Sequence, residues 1–358
     1  MHFEKNQSSI DTKLLQQRLT ALWAFSESAL GGFLHAFKLP FTGLIVSSAA
    51  VLIISGIARY GFKRGEILKA TLIVILVKVV VSPHSPINAH FAVLLQGLIG
   101  EILFASKKYF TITTVFFAVI TALLSATQKI LVLTLLFGFS LWTAIDSFFK
   151  YVLTEFPITI NAQSDFSFSQ MIISIYLAVH FIVGLLSGFF SVSLLKNISE
   201  VHVIKKDFKT IIKSATADKK SRGKKKFWWR KSTGAILILI LAATAVYSYF
   251  NEPENSLYLT IIIILLRSFG VTIIWYFIIA PFANKYISKY YSRQKSEHAN
   301  EINEILNLIP IFKMIVSESY SLTADRKGLE RYKTFLILVL SNIIFFKEEV
   351  IVTAEMKE

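Results

Sequence analysis

Long uninterrupted apolar runs, instead of the alternating or 3.6-periodic patterns of water-soluble elements, set the layout of this chain. Blocks near 40–58, 68–82, 89–105, 110–127, 129–149, 169–195, 234–250, 257–282 and 333–346 are built from Ile, Leu, Val and Phe. Most approach the roughly 17–25 residues that a spanning helix requires, with 68–82 and 333–346 the short ones. A membrane barrel would show alternating segments of about ten residues instead. The pattern predicts an all-α fold, a polytopic membrane helical bundle of eight to nine transmembrane helices. Residues 284–332 differ, because Ile302, Ile305, Leu306, Ile309, Phe312 and Ile315 recur at helical spacing among Lys and Arg. That stretch predicts cytoplasmic amphipathic helices outside the bilayer.

Composition reinforces the membrane reading: 54% of the 358 residues are hydrophobic and the mean hydropathy is +0.58. The net charge of +15 then has a use other than nucleic acid, since basic loops are retained on the cytoplasmic side and lean on anionic headgroups. Membrane lipid is the expected partner and nucleic acid is not. The polar N-terminus MHFEKNQSSIDTKLLQQRL is not followed by a short apolar core with a small-residue cleavage site, so no cleaved signal peptide is expected. With no cysteine in the chain, disulfides, thiol catalysis and Cys-based metal sites are excluded.

Charge divides the chain. Residues 1–37 read as an N-terminal polar or amphipathic segment, 38–196 as a membrane domain, 197–231 as a basic cytoplasmic linker, and 232–358 as a second membrane domain with its helical extension. The linker is dominated by Lys and Arg from Lys205 to Lys231, opposed by Glu200, Asp207 and Asp218, and Trp228 and Trp229 stand where an interfacial anchor would. Residues 234–282 predict a hairpin of two spans, joined by the acidic and therefore external turn Asn251 to Ser256. One conflict arises, because Arg59, Lys63 and Arg64 also mark a cytoplasmic loop, yet five apolar blocks separate it from the linker. An odd number of crossings cannot return to the same side. Either one block within 129–168 does not cross fully, or the loop at 59–67 is external.

Enzymatic signatures are missing: there is no GxSxG, no HExxH, no Walker A and no glycine-rich strand-to-helix turn. No catalytic residue, metal ligand or bound cofactor is expected on this chain. The most informative stretch runs from Lys78 through Ser82, Pro83, His84, Ser85 and Pro86 to Asn88 and His90, where two prolines set a turn between apolar helices. Lys78, Asn88, His90 and Gln96 are the candidate substrate-binding residues, placed to line the mouth of an intramembrane cavity. Ionisable groups within spans are costly and default to functional hypotheses, with snorkelling as the bland alternative for Lys78. Glu101 reads as interfacial beside Lys107 and Lys108, His180 as a packed, hydrogen-bonded histidine, and Asp146 with Arg267 as a possible intramembrane pair. Gly43, Ser47 and Ser55 give one helix a small-residue packing face, as Gly184 and Gly188 do another, suited to close helix approach or to a second membrane subunit. His2, His35, His84 and His90 form no recurring metal-ligand spacing.

Residues 38–196, with about six short helices and the segment SPHSPINAHFAVLLQGLIGE, resemble the substrate-binding S component of energy-coupling factor transporters. Residues 224–347 resemble a shortened transmembrane coupling (T) component of the same system. In that family the coupling helices end in Ala-Arg-Gly motifs; here Ala324, Arg326, Lys327 and Gly328, around Asp325, stand once in altered form. The resemblance implies a subunit of the bacterial cytoplasmic (inner) membrane. It would bind a vitamin or metal ion in the N-terminal bundle and couple to separate cytoplasmic ATPase subunits, which would hold the ATP. Two other readings fit the sequence: a structural or assembly subunit of an envelope complex, and a membrane enzyme acting on lipid-linked substrates through Lys78, His90 and Glu101.

Overall fold

The computed structural model describes residues 12–31, 41–61, 63–81, 87–106, 109–155, 167–198, 257–279, 281–282 and 298–345. Among these residues every regular element is helical and no strand occurs. In chain order the helices are α1 (Thr12–Phe25), α2 (Thr42–Gly61), α3 (Glu66–Val81), α4 (Ile87–Phe104), α5 (Phe110–Phe137), α6 (Ser140–Glu155), α7 (Phe168–Asn197), α8 (Leu257–Ile274), α9 (Ala299–Leu322) and α10 (Gly328–Phe345). Two wide π-helical turns extend α1 over Ser26–Leu30 and α8 over Trp275–Ile279. The linker, the block 234–250, the turn Asn251 to Ser256 and the Pro83–Pro86 turn lie outside the described residues.

Among the described residues four helices are long and apolar enough to cross a membrane: Thr42–Tyr60, Phe110–Phe137, Phe168–Asn197 and Ala299–Leu322. Two apolar helices are shorter, Asn88–Phe104 and Ile262–Ile274. The blocks read separately as 110–127 and 129–149 do not stay separate, since α5 runs unbroken through Gln128 and Lys129. Both are good helix formers, and no Gly or Pro intervenes before Gly138. The chain turns there, with Gly138 at φ +73°, a conformation that only glycine adopts cheaply.

The described residues fall into two compact units. One comprises α1 to α4, residues 110–125 of α5, residues 180–197 of α7, and α9 with α10; the other comprises the remainders of α5 and α7 with α6 and α8. These units cut across the expected boundaries at 196 and 232, because the C-terminal helices α9 and α10 belong with the first helices of the chain.

Helix α1 explains that grouping. Its residues Leu15, Leu19, Ala21, Trp23 and Ala24 are buried, and it packs on α2, α3, α9 and α10. A segment expected to be a polar preface is therefore the core of the first unit. Gln16 reaches the Glu66 carbonyl at 3.4 Å, and Glu27 reaches Lys78 at 2.7 Å, so α1 and α3 run parallel. At the Gln16 end, Gln17 donates to Glu304 at 2.8 Å, Lys69 pairs with Glu301, and Arg18 donates to the Ile344 carbonyl at 3.0 Å. A guanidinium on the last turn of α10 is favoured by the helix dipole. The α9–α10 hairpin is thus fastened by its open end to the starts of α1 and α3.

Contacts within the same unit show which ends of α2 and α7 lie together. Gly65 lies at one end, where Glu101 binds the start of α3 and Arg59 lies 5.2 Å over the Phe110 ring. The Tyr60 hydroxyl donates to the Leu195 carbonyl at 3.0 Å, which brings the end of α7 to that same end. Gly184 and Gly188 pack on the backbone of Val119 and Val115, so α7 returns antiparallel to α5.

Candidate functional site: a buried Lys78–Glu27 pair and an exposed basic turn

Lys78 Nζ lies 2.7 Å from Glu27 Oε2, with the two side chains only 7% and 3% exposed. Lys78 sits about 5 Å from the end of α3 by helical rise. Glu27 is held opposite by the π turn Ser26–Leu30, a widened turn of the kind frequent at functional positions. Isolated, either charge would cost several kcal/mol to bury; together they offset much of that cost, given good geometry. The pair therefore explains why Lys78 can remain off the surface, where snorkelling had been the simple account.

Its hydrogen-bonding capacity is not exhausted. Among the described residues Lys78 Nζ makes one hydrogen bond, and Glu27 Oε1 makes none. Trp23, one turn before Glu27 on α1, is fully buried with its indole Nε1 unpartnered among the described residues.

The other expected binding residues are placed by the antiparallel register of α3 and α4, in which Gly97 abuts Thr71 and Glu101 binds the Ile67 amide. That register sets His90 level with Lys78. His90 is half-buried and Asn88 exposed at the start of α4. Gln96 is buried with its Oε1 unpartnered among the described residues, but it stands about 9 Å along the axis from the His90 level. Lys78 and His90 thus stand level on α3 and α4, Gln96 lies further along α4, and Asn88 is exposed, so the four do not converge on one point. Sequence reasoning missed Glu27 because its neighbourhood, SESAL in a polar-looking segment, carries no apolar block to flag it.

Glu101 has a structural task. Its carboxylate accepts from the amides of Gly65 (2.6 Å), Ile67 (3.2 Å) and Leu68 (3.3 Å), capping the first turn of α3 from a neighbouring helix. In the second unit Asp146 plays the same part for α7. It accepts from the Ser169 amide at 2.7 Å and from the Ser167 and Ser169 hydroxyls. Asp146 therefore does not pair with Arg267, as the sequence suggested it might. Arg267 is buried, donates to Ser140 Oγ at 3.1 Å, and lies against Gly138, where the α5 C-terminus favours a cation. The reason is positional: α7 presents its first amide and hydroxyls to Asp146, whereas Arg267 meets the Ser140 hydroxyl just past the end of α5.

The small-residue face of α2 is occupied. Gly43 abuts Ser125 of α5, Ser47 is buried and bonds to the Leu44 carbonyl, and Ser55 is buried. His180 is buried with its ring 6.1 Å from that of Phe41. Among the described residues no group of three or more His, Cys, Asp or Glu gathers where a metal would need them; His2, His35 and His84 lie outside those residues.

The expected coupling residues form the turn of the α9–α10 hairpin. Ala324 and Arg326 donate backbone hydrogen bonds to Ser321 and Thr323, and Gly328 opens α10 at φ +61°. Arg326 bonds to Glu330 and, at 2.9 Å, to Thr334, while Arg331 stacks 4.5 Å over Tyr320. Beside these cations and Lys327, Leu329 is 88% exposed and Tyr332 also faces outward. Comparison with protein-family models, with curated proteins and with solved structures gives no match.

Proposed function

We propose that this chain is the membrane subunit of an ATP-driven small-solute transporter in the bacterial cytoplasmic membrane. It takes its solute in the N-terminal bundle and couples to separate ATPase subunits through the turn Ala324 to Gly328. One observation carries the reading: the α9–α10 hairpin is fastened at its open end to α1, the helix that bears Glu27, while its turn exposes Leu329 and Tyr332 among cations. A push on the turn reaches the buried pair through one rigid helix. With α3, α4, α5 and α7 taken as the crossings between Tyr60 and Leu195, and α6 as none, the 59–65 loop and the basic linker share the cytoplasmic side, as their cations favour.

On this reading α1, α2, α3, α4, α5, α7, the block 234–250 and α8 cross the membrane, eight in all. Helix α1 crosses despite its polar residues because other helices surround it. Helices α9 and α10 cross together or not at all, since the hairpin they form begins and ends at the Gly65 end, and the basic turn favours the cytoplasmic choice. The test is Arg326→Glu with Leu329→Asp in the intact chain, purified in mild detergent. Loss of co-purified ATPase subunits with the membrane unit still folded supports the reading. Unchanged recovery, or wild-type preparations that carry no ATPase, overturns it.

A further inference from the structure

We infer that Trp23, Glu27 and Lys78 form the solute site, and that its solute is net neutral, carrying an ammonium or N–H donor together with a carboxylate or carbonyl acceptor, as a zwitterionic amino acid does. The inference rests on the transport reading above and specifies its substrate class.

Charge balance is the first step. Lys78 and Glu27 already neutralise each other in a buried setting, so a solute with net charge would leave an uncompensated charge there, which is expensive. This departs from the sequence-based expectation that Lys78 alone receives an anion. Valence is the second step. Among the described residues the ammonium has N–H groups to spare, Glu27 Oε1 has no donor, and Trp23 Nε1 has no acceptor. Buried polar atoms are nearly always satisfied, so the spare N–H groups of Lys78 and the spare Oε1 of Glu27, side by side in one pair, call for a molecule that accepts and donates at once, with Trp23 four residues before Glu27 on the same helix as a further donor. A zwitterion meets both demands: its carboxylate takes Lys78 and the indole N–H, its ammonium takes Glu27, and every charge stays paired. Access is the third step. The pair sits within about one turn of the end of α3, and Glu27 stands on the π turn that ends α1. No covalent step is involved.

The test uses the full chain in lipid nanodiscs and follows thermal unfolding against matched probes. These are free amino acids of small, aliphatic and aromatic type, their N-acetyl derivatives (anionic), their amides (cationic), and their N-acetyl amides (neutral). Stabilisation by net-neutral members of a set, and not by the singly charged ones, is the expected result. Trp23→Phe should weaken that binding about 3–10-fold, the effect of one lost hydrogen bond. The double variant Lys78→Met/Glu27→Met removes both charges and should abolish it. Should the double variant fail to fold, Trp23→Phe decides. Equal stabilisation by charged probes, no stabilisation by any probe, or a wild-type response in Trp23→Phe overturns the inference. Since ATPase co-purification is read separately, retained ATPase without a solute response overturns the solute class and leaves the transporter reading standing.

Discussion

The Tyr60 hydroxyl donates to the carbonyl of Leu195 across 135 residues of sequence, and this contact fixes which ends of the bundle belong together. Leu195 lies in the last turn of α7, where carbonyls lack intrahelical partners, so a phenol from α2 satisfies one of them. Arg59 and Lys196, each next to one of these partners, are thereby brought to the same end of the unit.

Accessibility checks this. The chain has no native cysteine, so Lys63→Cys, Asn197→Cys and Ala324→Cys can each be labelled without background. All three should react from the same face of the membrane. If Lys63→Cys and Asn197→Cys reacted from opposite faces, α6 would be a traverse after all. If Ala324→Cys alone reacted from the other face, the hairpin would cross and could not reach a cytoplasmic ATPase.

Breaking the buried pair should be far worse than deleting it. Lys78→Met leaves Glu27 charged and unpaired, a loss of about 3–5 kcal/mol, whereas Lys78→Met/Glu27→Met should lie within about 1 kcal/mol of wild type or above it. Unfolding of the purified variants in micelles measures both. Equal destabilisation by the single and double variants would show that the two side chains do not face each other.

Glu101 acts as a distant cap, so its chemistry can be graded. Glu101→Ala removes the acceptor for three amides of α3 and should cost about 1–2 kcal/mol. Glu101→Gln keeps an acceptor oxygen and should lose roughly half as much. Hydrogen exchange at Ile67 and Leu68 should rise in the order wild type, Gln, Ala; an unchanged rate in Glu101→Ala would remove the cap.

Gly188 permits the closest approach of α7 to α5. A Cβ there would stand 2.7 Å from the Val115 Cα, a backbone atom that cannot rotate away. Gly188→Val should therefore destabilise by about 1–3 kcal/mol through overpacking, and Gly56→Ala, with only side-chain neighbours beyond 3.4 Å, should be tolerated. Comparable unfolding of the two variants would contradict the crossing.

By itself the sequence determined the helical class and the apolar segments, because lipid leaves the backbone no partner but itself and the required length of apolar side chains is written residue by residue. It also exposed the cation-rich ends and the small residues where helices meet. What it marked least was α1: Gln16, Gln17, Arg18 and Glu27 read as a polar preface, since hydropathy scores a residue by its own side chain. Only the tertiary structure supplied their partners, Glu66, Glu304, the Ile344 carbonyl and Lys78, and a polar group is admitted to a core when it is paired. The fates of Asp146 and Arg267 were decided in the same way, by which helix terminus each side chain meets. Such a terminus is a property of two elements in space, and no spacing along one of them encodes it.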